Sequence, residues 1–143
     1  MMYDPQVVKP MREELVRLGA TELLTPEDVD RALDEDASGT TLLVVNSVCG
    51  CAAANARPAV AIALGHDKQP DRVVTVFAGQ DTEATERARS YMPGYRPSSP
   101  SIGLFRDAEH VFMLERHQIE GRDAPSIAAD LRDAYDRFGG APV

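Results

Sequence analysis

The chain has 143 residues, 43% of them hydrophobic, which is the size of one compact domain with a substantial core. Its 15 Lys and Arg against 23 Asp and Glu give a formal net charge of -8, which repels nucleic-acid backbones and anionic membrane surfaces unless the basic residues cluster. They do not cluster: Arg12, Arg17, Arg31, Arg57, Arg72, Arg87, Arg89 and Arg96 are spread among acidic neighbours, so neither nucleic acid nor membrane is an expected partner.

The opening Met1-Met2-Tyr3-Asp4-Pro5 lacks the basic start and apolar run of a secretory signal. Ala52 to Leu64, the longest nearly apolar stretch, contains Asn55, Arg57 and Pro58 and is too short to cross a bilayer. A soluble, cytoplasmic protein is expected, folded as one domain over residues 1–143. Two cysteines are too few for a disulfide framework, so their value is chemical or trivial.

After Asp4-Pro5, a cap followed by a proline suited to a first turn, Val7, Val8, Met11, Leu15 and Leu18 fall at helical spacing, and Gly19 ends the helix. Thr21 to Leu24 reads as a short strand. Thr25-Pro26-Glu27-Asp28 starts a helix that runs to about Glu35, with Val29 and Leu33 on its buried side. Thr40 to Val48 is a β-branched and aliphatic run without alternation, the pattern of a central strand covered on both faces. The stretch from Ala52 to Leu64 predicts a helix kinked at Pro58, which has no N–H to give the Ala54 carbonyl and crowds it.

Arg72 to Ala78 predicts a second buried strand, and Asp81 to Tyr91 a helix whose acidic start and late Arg87 and Arg89 match the helix dipole. The loop from Met92 to Pro100 is too rich in Pro, Gly and Ser for regular structure. Ser101 to Arg106 and Val111 to Glu115 read as a hairpin joined through Asp107-Ala108-Glu109-His110. Ala124-Pro125 opens a last helix with Ile127, Leu131, Tyr135 and Phe138 on one face, ending at Gly139-Gly140 before a fraying tail. Strands that alternate with helices imply a parallel core with right-handed crossovers. The closing hairpin adds an antiparallel edge, giving an α/β fold with a mixed sheet and helices on both faces.

Cys49-Gly50-Cys51 falls at the junction between the central strand and the alanine-rich helix. A thiolate is favoured by the partial positive charge and free N–H groups of a helix start, and Cys49 is placed to benefit. Gly50 removes a side chain from the tight ring that a Cys49–Cys51 disulfide would close; that ring would be strained, which makes for an oxidising pair suited to exchange or isomerisation. Two other readings stay open here: a pair of inert cysteines, and a soft-metal site. The latter lacks partners, because His66, His110 and His117 stand at no recognisable ligand spacing from the pair. The three histidines are assigned no catalytic role. Tyr91 and Tyr95 either line a groove by the site or simply pack the loop.

Asn46-Ser47-Val48-Cys49-Gly50-Cys51-Ala52-Ala53 and the following Asn55-Ala56-Arg57-Pro58 resemble the signature of the bacilliredoxin family. The resemblance continues through Thr25-Pro26-Glu27, Pro97-Ser98-Ser99-Pro100-Ser101 and Arg116-His117-Gln118-Ile119-Glu120-Gly121, nearly the whole chain. It implies a thioredoxin-like fold with an extra N-terminal helix, and removal of bacillithiol from mixed disulfides on oxidised or thiol-capped cytosolic proteins, with activity resembling that of disulfide isomerases. No organic cofactor or metal is implied. Carried over by position, Cys49 is the nucleophile and Cys51 resolves or modulates.

Pro100 occupies the place of the cis-proline that faces the active site of thioredoxin-like proteins. An X-Pro bond there can turn backbone groups of Ser99 and Ser101 towards a substrate chain. Ser47, Gly50, Ser99, Pro100 and Ser101 are thus the candidate substrate-binding positions. Ordinary thioredoxins differ in having a buried aspartate where this chain has Leu43, and two residues between their cysteines. Thiol activation here would lean on the helix start and on polar groups such as Ser47 or Asn55.

Overall fold

Asp4 accepts a hydrogen bond from the Gln6 N–H at 2.8 Å and opens α1 (Pro5–Val16), as its proline-led start predicts. The computed structural model describes residues 3–138, so the expected end of the last helix at Gly139-Gly140 lies outside the described residues. Only Val8 and Leu15 of α1 are buried, and Val7 is exposed, because one narrow stripe of this helix meets the rest of the protein. The strand after Gly19 is shorter than expected: β1 is Thr21–Glu22, and Leu23 adds one further bond from its N–H to the Thr75 carbonyl.

Thr25 caps α2 (Pro26–Asp30) by accepting the Asp28 N–H at 3.1 Å, and the helix runs on as a π-helical turn over Arg31–Glu35. The central strand β2 (Thr40–Asn46) is buried at every position. Leu42 and Val44 face one core cluster and Leu43 and Val45 the other, which is why the sequence shows no alternation. β2 stops two residues before the expected Val48, because the Asn46 side chain takes the Ser47 N–H at 2.9 Å and turns the chain out of the sheet.

The helix expected after the cysteines forms, and its irregularity is of a defined kind. Residues Ala52–Ala56 make a π-helical turn in which the Arg57 N–H bonds the Ala52 carbonyl, and α3 (Arg57–Ala63) follows. Pro58 offers no N–H to the preceding turn, and the wider register absorbs that loss.

β3 (Arg72–Phe77) and α4 (Thr82–Ser90) follow the expected order, and β4 (Ser101–Arg106) and β5 (Glu109–Leu114) form the hairpin. That hairpin is tighter than expected, since Glu109 already pairs with Arg106. Its two turn residues, Asp107 and Ala108, carry φ of 49° and 70°. α5 (Ala124–Phe138) buries Ile127, Ala128, Leu131, Ala134 and Tyr135.

The sheet has the order β1-β3-β2-β4-β5, with β1, β3 and β2 parallel and β4 and β5 antiparallel. Residues of α1, α3 and α5 cover one face, and residues of α2 and α4 the other. α1 is the additional N-terminal helix. Arg12 ties it down through Glu22 at 2.9 Å and Asp81 at 2.8 Å; Asp81 is thereby spent on the guanidinium and does not cap α4 with its side chain.

Candidate functional site

The cysteines sit where β2 ends and the helix towards α3 begins. The Asn46 side chain that ends the strand also receives Arg57 Nη1 at 2.9 Å and gives its own amide to the Met11 carbonyl at 3.2 Å. Arg57 Nη1 further donates to the Ser47 carbonyl at 3.1 Å, and Arg57 Nε pairs with Glu14 of α1. This guanidinium is only 4% exposed, so the turn rests on a buried charge held through its Nε and Nη1. The sequence alone does not single out Arg57, Asn46 and Glu14. Asn46 and Arg57 stand in the recognised motif, but their contact spans 11 positions and that with Glu14 spans 43.

The Cys49 N–H donates to Ser47 Oγ at 3.3 Å, and the Cys49 carbonyl accepts the Ala52 and Ala53 N–H groups at 3.1 and 3.3 Å. Cys49 therefore stands at the helix start, with a half-buried side chain and a free thiol, as has Cys51. Burial opposes ionisation of Cys49. Hydrogen bonding from Ser47 and from the Ala52 and Cys51 N–H groups at the helix start outweighs it, and its pKa falls below the ordinary thiol value. Cys51 goes the other way: burial, then the charge of Cys49, then that of Glu120, raise its pKa against a partial offset from Arg116.

Of the two polar groups expected near the thiol, Ser47 takes part and Asn55 does not. The Asn55 amide donates to the Arg122 carbonyl and ties the helix to the segment before α5. Gly50 has no left-handed φ and a Cβ there would meet nothing within 4 Å, so this dithiol conformation does not itself require glycine.

The Ser99-Pro100 peptide bond is cis, as the resemblance implies. Ser101 is buried in β4 opposite Val45, with its hydroxyl donating to the Ser98 carbonyl at 3.1 Å. The Ser99 carbonyl accepts Arg116 Nη1 at 3.3 Å. Arg116 interacts electrostatically with both cysteines, and Arg116 Nε bonds Glu120 Oε2 at 2.9 Å, an oxygen that lies 3.7 Å from Cys51 Sγ. Sequence reasoning also misses Arg116 and Glu120 as site residues, although their four-residue spacing on one helical turn is a readable signal for a pair.

Tyr91 donates its phenol to Asp30 at 2.6 Å and so packs α4 against α2. Tyr95 lies edge-on to His110, 5.3 Å between ring centres. Among the described residues no group of three or more His, Cys, Asp or Glu side chains is arranged to hold a metal ion. A concavity of about 550 Å³ is lined by Leu18, Leu23, Arg31, Leu64, Pro70 and Arg72. It lies at the far end of the sheet, since Arg72 in β3 pairs with Thr41 at the start of β2 whereas the cysteines follow the end of β2.

Comparison with known proteins agrees with this geometry. The family model described as disulphide isomerase matches residues 3–139. A bacilliredoxin from Salinibacter ruber is 57% identical over 141 residues, covering 98% of this chain and 83% of its own length. One from Halalkalibacterium halodurans is 53% identical, covering 92% and 90% respectively. Among solved structures, Fasciola hepatica thioredoxin superposes with a TM-score of 0.57 at 18% identity, covering 82% of this chain and 98% of its own, and shares the fold. A mutant thioredoxin from Halobacterium salinarum gives 0.55 at 18% identity, covering 87% and 94%. With a thioredoxin-like fold, a cysteine pair at its strand-to-helix turn and relatives of this identity along its length, the chain belongs to the bacilliredoxin family and its role is thiol–disulfide redox chemistry.

Proposed function

We propose that the chain removes a low-molecular-weight thiol of the bacillithiol type from mixed disulfides on cytosolic proteins, with Cys49 as the nucleophile. The observation that carries this reading is the placement of the pair: Cys49 stands at the helix start, its carbonyl taking the Ala52 and Ala53 N–H groups, with its pKa drawn below the ordinary thiol value and that of Cys51 raised. In the step, the Cys49 thiolate attacks the sulfur of the small thiol. The protein leaves as its own thiolate, and Cys49 carries the adduct, with one S–S bond formed and one broken. Ser99 and Pro100 offer backbone to the incoming chain, Ser47 holds the turn beneath it, Gly50 leaves open space for it, and Ser101 supports the proline from within β4.

The test uses a protein capped with bacillithiol at a single cysteine, followed by mass spectrometry. Wild type and Cys51→Ser should uncap it, with the adduct appearing on Cys49, and Cys49→Ser should not. Uncapping that survives in Cys49→Ser overturns the assignment, and equal rates on glutathione-capped protein would remove the bacillithiol preference.

The description of the matched family model favours a second reading, shuffling of protein disulfides at the same cysteines. Recovery of activity from a scrambled disulfide-bonded enzyme, without added small thiol, would separate the two.

A further inference from the structure

The front of the site holds a carboxylate with two donors on one oxygen. Glu120 Oε2 accepts Arg116 Nε at 2.9 Å and lies 3.7 Å from Cys51 Sγ. Arg116 is itself anchored, through its Nη1 to the Ser99 carbonyl at 3.3 Å and its backbone N–H to Ser98 Oγ at 3.4 Å. The hydrogen bond from Arg116, together with its charge, holds the Glu120 carboxyl below the usual range, so the group is an anion at neutral pH. An anion that accepts a thiol S–H stabilises the protonated thiol and opposes its ionisation.

Resting on the exchange chemistry proposed above, we propose that Glu120, steadied by Arg116, accepts the Cys51 S–H and slows closure of the Cys49–Cys51 disulfide, so that an adduct on Cys49 passes to a second, external thiol. Closure requires Cys51 to give up its proton and attack Cys49 Sγ, expelling the small thiol as a thiolate that takes up a proton. The competing step demands nothing of Cys51. An external low-molecular-weight thiolate attacks the small-thiol sulfur of the adduct, forms a disulfide between the two small thiols and returns Cys49 as the thiolate. Glu120 and Arg116 act as positioning residues that choose between these routes. The site thereby works through one cysteine although it contains two.

Two readouts test this. In a Cys49→Ser background, the pH midpoint of Cys51 alkylation should fall by about one unit when Glu120→Gln removes the neighbouring charge, and Glu120→Asp should restore it at least in part. In the dithiol protein, the aromatic disulfide dithionitrobenzoate should release one coloured thiolate quickly as Cys49 reacts and a second slowly as Cys51 closes. Glu120→Gln should speed the second release about threefold at neutral pH, less than the gain in thiolate because a more acidic thiolate is a weaker nucleophile. An unmoved Cys51 midpoint, or a second release that is unchanged or slower, overturns the proposal. Failure of the first release in wild type would instead remove the exchange reading, while the Cys51 midpoint still decides the role of Glu120.

Discussion

Arg57 and Arg116 both bring a guanidinium to the cysteine turn, Arg57 on its buried side, the rear, and Arg116 on its exposed side, the front. Behind the turn, Arg57 is 4% exposed and its donors go to Asn46, the Ser47 carbonyl and Glu14. In front, the Arg116 side chain is 45% exposed and its partner Glu120 56% exposed. A buried charge that pairs with a carboxylate and also serves amide and backbone acceptors cannot be removed without leaving some of them unpaired, whereas an exposed pair loses little when broken because water replaces it. The rear of the site therefore holds the turn in shape, and the front adjusts how its thiols ionise.

That division can be broken most severely at the rear. Arg57→Met should lower unfolding stability by about 2 kcal/mol, because the Ser47 carbonyl and Glu14 lose their donor and the Asn46 oxygen keeps only the Ser47 N–H. A denaturant titration checks the loss, and the same variant should react more slowly at Cys49. A stability unchanged by this substitution would mean that the turn does not depend on its buried charge.

The next largest effect is expected where the rear meets the sulfur. Ser47→Ala deletes a hydrogen bond that favours the Cys49 thiolate, so the Cys49 midpoint should rise by about one pH unit. Below the midpoint the thiolate fraction falls tenfold per pH unit, so a raised pKa means a slower enzyme at neutral pH, by about threefold once the stronger nucleophilicity of the more basic thiolate is counted. Alkylation across a pH series measures the shift directly.

The smallest effect on folding belongs to the front. Arg116→Gln should leave the denaturation midpoint unchanged, because water replaces a pair that is half exposed. Loss of stability in this variant would erase the distinction between the two sides of the site.

The same contrast governs what the chain discloses before folding. β2 is legible because burial on both faces selects a run of β-branched and aliphatic residues, and the cap at Thr25 because a hydroxyl followed by an acid is a local pattern. The thiols are legible too, because their chemistry is local to three consecutive residues. Arg57 is not, since a basic residue in an alanine-rich helix reads as exposed until α1 brings Glu14 and the Met11 carbonyl to the turn. Asn55 points the wrong way for a related reason. Its spacing puts it one helical turn from Cys51, yet its partner is a carbonyl 67 residues on. The cis bond at Pro100 follows from the family resemblance and not from the loop composition, which suits either isomer.

The most direct test of the asymmetry between the thiols is the pH dependence of alkylation in the wild-type dithiol protein, with mass spectrometry to separate Cys49 from Cys51. Cys49 should react first, with a midpoint below that of an ordinary thiol, and Cys51 should follow at a pH above it. Reaction of Cys51 first, or of both thiols together at the ordinary value, would contradict the asymmetry on which the proposed chemistry depends.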